Sequence, residues 1–249
     1  MPYTFRTRIK KEIVAEFVPP IRQSNKIIIL CCGMPSYPAK KELMFFLAER
    51  GYWVFLPRYR GSWESDGSFL QKSPHLDVID VIDSLSSGFY DLWNQKKYKI
   101  KTPRIYLIGS SFGGSAVILA SRDKRVQKVI ALSPVIDWRV ETKLEPIDWL
   151  GEFTRKAFGN GYRFKQKDWE KLKSGTFYNP IATVKELNKD KIYIIHAKDD
   201  EVVYADTSVK FAEELGCKIT LLKKGGHLST SNLMKAPFWK KVSNFFKNR

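Results

Sequence analysis

The sequence has 249 residues, 43% of them hydrophobic, and a formal net charge of +17. That length holds one large α/β unit with a sizeable core and leaves no room for a second full domain. No apolar run is long enough to cross a bilayer, and Met1 to Arg6 lack the apolar segment of a secretion signal, so a cytoplasmic location is the expectation.

Residues Tyr3 to Phe17 alternate apolar and polar positions and read as one or two edge strands before the Pro19-Pro20 break. Lys26 to Cys32 is a buried strand that runs into Gly33-Met34-Pro35-Ser36. A helix from about Lys40 to Arg50 follows and is closed by Gly51; Tyr52 to Leu56 is the next strand. The spacing of Leu76, Ile79, Ile82 and Leu85 predicts a helix from Pro74 to about Leu92. Arg104 to Ser110 is a short apolar strand. It opens through small residues into a helix at Val117-Ile118-Leu119-Ala120.

Val126 to Ser133 is a further strand. Pro134 to Pro180 is irregular, aromatic and charged, with helical pieces at Trp149 to Phe158 and Asp168 to Lys173. It is too long for an ordinary connection and reads as a small cap inserted at about 134–180 of a single domain spanning 1–249. Lys191 to His196 is a strand, Ala205 to Leu215 a helix, Lys218 to Leu222 a strand and Leu233 to Phe246 the closing helix. Strands alternating with helices predict an α/β fold, a mostly parallel central sheet with helices on both faces.

Cys31, Cys32 and Cys217 are the three cysteines. An adjacent pair at a strand end is poor disulfide geometry, and no Cys/His spacing suggests a metal. Lys and Arg are scattered through every predicted element without a dense run or an aromatic-and-basic module. The positive charge therefore reads as solvated surface, and no specific nucleic acid is expected as a partner.

The chemistry centres on Gly109-Ser110-Ser111-Phe112-Gly113, a G-x-S-x-G pattern between strand and helix. A serine on a sharp, strained turn exposes its hydroxyl only if the residues two before and two after lack colliding side chains. Ser111 also stands at a helix N-terminus, where free N–H groups favour developing negative charge. A serine hydroxyl needs a base, and the chain has three histidines. His75 and His196 read as structural, whereas the glycines of Lys224-Gly225-Gly226-His227 let a loop carry His227 over the strand ends. The acid comes from Asp199, Asp200 or Glu201 after the penultimate strand. Asp200 is preferred on its spacing from that strand.

Over nearly its whole length the chain resembles an α/β-hydrolase. Gly109 to Gly114 is similar to the nucleophile elbow of that superfamily, His196-Ala197-Lys198-Asp199-Asp200-Glu201-Val202-Val203 to its acid segment, and Gly226-His227 to its base segment. The order Ser111, Asp200, His227 is the one that this fold implies. Tyr59-Arg60-Gly61-Ser62, followed by Gly67 and Phe69, resembles the prolyl oligopeptidase family and its small serine esterase relatives. Cys31 and Cys32 stand where many of those relatives carry an oxyanion-binding tyrosine. The resemblance therefore implies a backbone oxyanion hole from the N–H groups of Met34 and Phe112.

Too few residues precede Lys26 for a β-propeller. The resulting expectation is a serine hydrolase that cleaves a carboxylic ester through an acyl-enzyme, with a small peptidase or amidase, or a non-catalytic binding protein, as the alternatives. It needs no cofactor and takes a small ester or short peptide as substrate. Trp138, Trp149, Phe153, Phe158, Tyr162, Phe164 and Trp169 of the cap are candidates to line its pocket, with more than half of them expected in packing instead.

Overall fold

The apolar runs divide their side chains between two cores. In Lys26–Cys31, Ile27, Ile29 and Cys31 enter one hydrophobic cluster while Ile28 and Leu30 enter the other. A strand covered on both faces has no polar side to show, which is why the run is continuously apolar. The computed structural model describes residues 3–247.

In chain order its strands are Phe5–Ile9 (β1), Ile13–Val18 (β2), Lys26–Cys31 (β3), Trp53–Pro57 (β4), Phe89–Tyr90 (β5), Lys97–Tyr98 (β6), Arg104–Ser110 (β7), Val126–Leu132 (β8), Ile192–Ala197 (β9) and Lys218–Leu222 (β10). β5 and β6 form a separate hairpin. The others form an eight-stranded sheet in the order β1-β2-β4-β3-β7-β8-β9-β10. β1 and β2, and β2 and β4, pair antiparallel; every pairing from β4 to β10 is parallel. The chain is an α/β-hydrolase in architecture.

Helices cover both faces. Lys41–Glu49 (α1) buries Leu43, Met44 and Leu47 against one face, where Val242, Phe245 and Phe246 of the closing helix, Ala236–Lys247, also pack. The opposite face carries His75–Ser87 (α2) and Phe112–Ala120 (α3), and later in the chain the helix Ala205–Leu215. Between β8 and β9 lie Ile147–Phe158 (α4) and Gln166–Glu170 (α5), after which Ala205–Leu215 and Ala236–Lys247 are α6 and α7. Trp138, Leu150, Tyr162, Trp169, Leu172 and Tyr178 of this intervening segment join the same hydrophobic cluster as α2 and α3.

The helix from Pro74 is shorter than its spacing predicted. It stops at Ser87 because Gly88 adopts φ 103°, and the β5–β6 hairpin then stacks Phe89 on Tyr98 at 5.7 Å. Its buried stripe is also rotated: Val78, Val81, Ile82 and Leu85 are inside, while Leu76 is exposed. The closing helix starts at Ala236 instead of Leu233, after a 3₁₀ turn over Thr230–Met234 held by a capping box between Ser229 and Asn232. No helix among the described residues is long and apolar enough to cross a membrane.

The register sets up the site. Cys31 pairs with Gly109, and Ser110 with Leu132, so β3, β7 and β8 finish side by side. Strand order reverses between β3 and β7, since β3 leads to β4 on one side and β7 lies on the other. A crevice opens at such a switch point, beyond the carboxyl ends of the strands. The loops beginning at Cys32, Ser111 and Ser133 converge there.

Candidate active site

Ser111 joins β7 to α3 with φ 53° and ψ −122°, a conformation that side-chain-bearing residues rarely adopt. The surrounding glycines are required by contact. A Cβ on Gly109 would overlap the carbonyl of Gly113, and one on Gly113 would overlap the carbonyl of Cys31. The turn is clamped from the other side by Phe112, whose fully buried ring packs 5.3 Å from Tyr59 and 4.7 Å from Tyr178. Tyr178 donates its hydroxyl to the Phe112 carbonyl at 2.6 Å. Ordered aromatics thus hold a strained backbone that local propensity alone would relax.

The Phe112 amide opens α3, where the helix supplies no partner for it. Among the described residues neither it nor the Met34 amide donates a hydrogen bond. Met34 lies in the loop after β3 and lines the same cavity as Ser111. Two free amides beside the serine are what an oxyanion site requires.

Asp200 meets His227: the two carboxylate oxygens lie 2.9 and 3.1 Å from Nδ1. A carboxylate only accepts, so Nδ1 donates to it, and in the neutral ring Nε2 is left with its lone pair. Asp200 is fully occupied. Its Oδ1 also accepts the Val202 and Val203 amides at 3.0 Å each, and its Oδ2 lies 3.1 Å from His196 Nε2. Burial of this carboxyl would raise its pKa, but the hydrogen bonds from His196, His227 and the Val203 amide outweigh burial and hold it well below the usual carboxylate range. It is therefore a fixed negative charge beneath the imidazole.

His196 is fully buried. Its Nε2 is shared between Asp200 and the Val203 carbonyl, 2.9 Å away, and its Nδ1 lies 2.9 Å from Ser208 Oγ. It supports Asp200 from below and does not reach the cavity. His75 sits at the start of α2 against Ser73 and Arg122. Ser111 and His227 line one cavity, although no hydrogen bond among the described residues joins them. Such contacts commonly tighten only around bound substrate.

Two supports for His227 were not apparent from the sequence. Asp199 accepts the Gly225 and Gly226 amides at 3.2 and 2.9 Å, fixing the loop just before the histidine. Ser133, at φ 42° after β8, accepts the Leu228 amide at 3.1 Å just after it. Positive φ at a serine leaves no trace in composition or periodicity. The third unforeseen residue is Glu145, which lines both hollows beside Ser111.

Of the seven aromatic candidates between 134 and 180, Trp138 lines the hollow beyond Ser111, and Phe153 and Phe158 line the side that His227 shares. Trp169 and Tyr162 are buried, with Trp169 stacked on Phe164 at 4.9 Å. Burial pushes the Cys31 thiol well up and the Cys32 thiol up, so neither is a nucleophile at neutral pH. Among the described residues no cluster of His, Cys, Asp or Glu could hold a metal ion.

Comparison with known proteins places this geometry in context. A model of the prolyl oligopeptidase family matches residues 39–247. Solved structures with the same fold include an esterase of Pyrococcus furiosus, at 18% identity and a TM-score of 0.71, covering 99% of this chain and 91% of that one. An acylaminoacyl peptidase of Pyrococcus horikoshii aligns at 19% identity and a TM-score of 0.66, over 99% of this chain and 41% of its own. Dipeptidyl peptidase 4 of Porphyromonas gingivalis aligns at 17% identity and the same TM-score of 0.66, over 100% of this chain and 35% of its own. A search of curated protein sequences finds no match.

Proposed function

This chain belongs to the prolyl oligopeptidase family of serine hydrolases, and we propose that it cleaves carboxylic esters through an acyl-enzyme on Ser111. The observation that carries the reading is the strained Ser111 elbow in one cavity with a histidine whose Nδ1 is bound by a buried carboxylate. His227 Nε2 takes the Ser111 proton as Oγ attacks the carbonyl, and the oxyanion accepts the Met34 and Phe112 amides. Collapse expels the alcohol, which receives that proton. Water then attacks the acyl-enzyme with His227 again as base, while Asp200 stabilises the imidazolium at each stage.

An ester is favoured over a peptide by the comparisons: the esterase aligns over 91% of its own length, whereas the two peptidases align over only 41% and 35% of theirs. Residues 134–180 form, in this reading, a cap that shapes the acyl pocket through Trp138, Ile147 and Leu150. Hydrolysis of esters and amides sharing one acyl group tests it. Wild type should hydrolyse the ester at least a hundredfold faster, and Ser111→Ala should lose that activity. Equal or faster amide cleavage would make the protein a peptidase, and undiminished activity in Ser111→Ala would remove the nucleophile.

A further inference from the structure

The hollow that the proposed reading gives to the acyl group is lined by three charged residues, Asp137, Glu141 and Glu145, and all three are acids. This runs against the rest of the molecule, which carries 43 Lys and Arg to 26 Asp and Glu. Asp137 is already spoken for, since Arg139 grips it at 2.7 Å and Asn179 donates to it at 3.0 Å. Glu145 is not. It is half-buried, lines the hollows on both sides of Ser111, and among the described residues its carboxylate makes no ion pair and accepts no hydrogen bond. His227 favours its charged form and Asp200 opposes it.

An imidazole has two nitrogens. Asp200 occupies Nδ1 of His227, and Nε2 is needed for the serine proton, so Glu145 has no orienting hydrogen bond left to make to the base. A free carboxylate near the reacting carbonyl also opposes the negative charge that develops on the oxyanion, and in a partly desolvated site that opposition is poorly screened. A cation arriving with the substrate cancels it. The hollow on the His227 side, where the leaving alcohol receives its proton, contains Lys40 as well as Glu145, whereas the charged residues of the other hollow are all acids. The cation therefore fits on the acyl portion of the substrate.

We propose that Glu145 is the specificity-determining residue for an ammonium group on the acyl part, so that the enzyme prefers short aminoacyl esters to neutral or acidic ones. This rests on Ser111 being the nucleophile. Burial raises the pKa of Glu145; His227 opposes the shift and Asp200 adds to it.

The test compares leucine methyl ester with N-acetyl-leucine methyl ester at neutral pH, using the full chain as wild type, Glu145→Gln and Glu145→Lys. Labelling of Ser111 by a fluorophosphonate is followed in parallel. Wild type should favour the free amine at least tenfold in kcat/KM. Glu145→Gln should cut that ratio at least tenfold, and Glu145→Lys should invert it. An unchanged ratio in the variants overturns the proposal, as does a wild-type preference for the acetylated ester or equal losses on both esters. Fluorophosphonate labelling of Ser111 without hydrolysis of either ester overturns the substrate class and leaves the nucleophile standing. Absence of labelling at Ser111 overturns both.

Discussion

The Asp199 carboxylate holds the Gly226 amide at 2.9 Å, so adjacent acids serve one histidine differently: Asp199 anchors its loop and Asp200 binds its ring. This division gives a sharp contrast between two conservative substitutions. Asp200→Asn replaces an acceptor with an amide that can present N–H to His227 Nδ1, which favours the wrong tautomer; kcat should fall by roughly 10³ to 10⁴. Asp199→Asn retains an acceptor oxygen for the glycine amides and should stay within a few-fold of wild type. Steady-state kinetics on one activated ester checks both, and reversed severities would move the acid to Asp199.

Ser133 should behave as a positioning residue. Ser133→Ala leaves the Leu228 amide without its partner and loosens the segment that carries His227. The expected signature is a kcat about tenfold lower, in line with losing one support of a preorganised group, with KM little changed. A fall confined to KM would place the effect on substrate binding instead.

The elbow stores strain that its own replacement should reveal. Ser111 sits at φ 53°, where glycine is at ease and alanine is not. Both Ser111→Gly and Ser111→Ala remove the hydroxyl, but the glycine variant should be the more stable by about 1 kcal/mol in urea unfolding. Equal stabilities would mean that the conformation costs nothing. Gly113→Ala, whose new Cβ would overlap the Cys31 carbonyl, should destabilise the protein by on the order of 2–3 kcal/mol.

His75 gives the fold an acid-sensitive contact away from the catalytic groups. Its Nε2 lies 3.3 Å from Arg122 Nη2, a group that only donates, so Nε2 accepts and the neutral ring carries its proton on Nδ1. Burial, and then the Arg122 charge, push its pKa from 6.5 down to about 4. The unfolded chain takes up a proton that the native state refuses. The contribution is therefore complete above pH 6.5 and is lost as pH falls towards 4. Urea unfolding should show wild type losing on the order of 1–2 kcal/mol relative to His75→Gln between neutral pH and about pH 4.5. Asp77, which burial pushes up to about 6, acts in the opposite sense but is common to both proteins and cancels in the difference. A constant difference across that range would exclude the linkage.

Much of this architecture is legible without coordinates because burial on both sheet faces leaves long apolar runs. Lys26–Cys31 and Arg104–Ser110 are the clearest cases. Ser111 is legible for a related reason, since the glycines around it are fixed by backbone crowding and stand at set spacing. The end of α2 was less so: Phe89 and Tyr90 continue an apolar pattern that a helix and a hairpin can both use, and only the φ of Gly88 decides between them. His196 reads as structural, yet its bond to Asp200 spans a turn whose shape the spacing does not reveal. Glu145 was invisible because nothing in an irregular loop marks which of several acids faces inward.

The central claim is that His227 and Asp200 activate Ser111, and the most direct measurement is peptide mapping of a fluorophosphonate adduct with its rate of formation. Wild type should carry one phosphonate, on Ser111, and His227→Ala should be labelled at least a hundredfold more slowly at the same residue. An adduct on another residue, or equal rates in the two proteins, would contradict it.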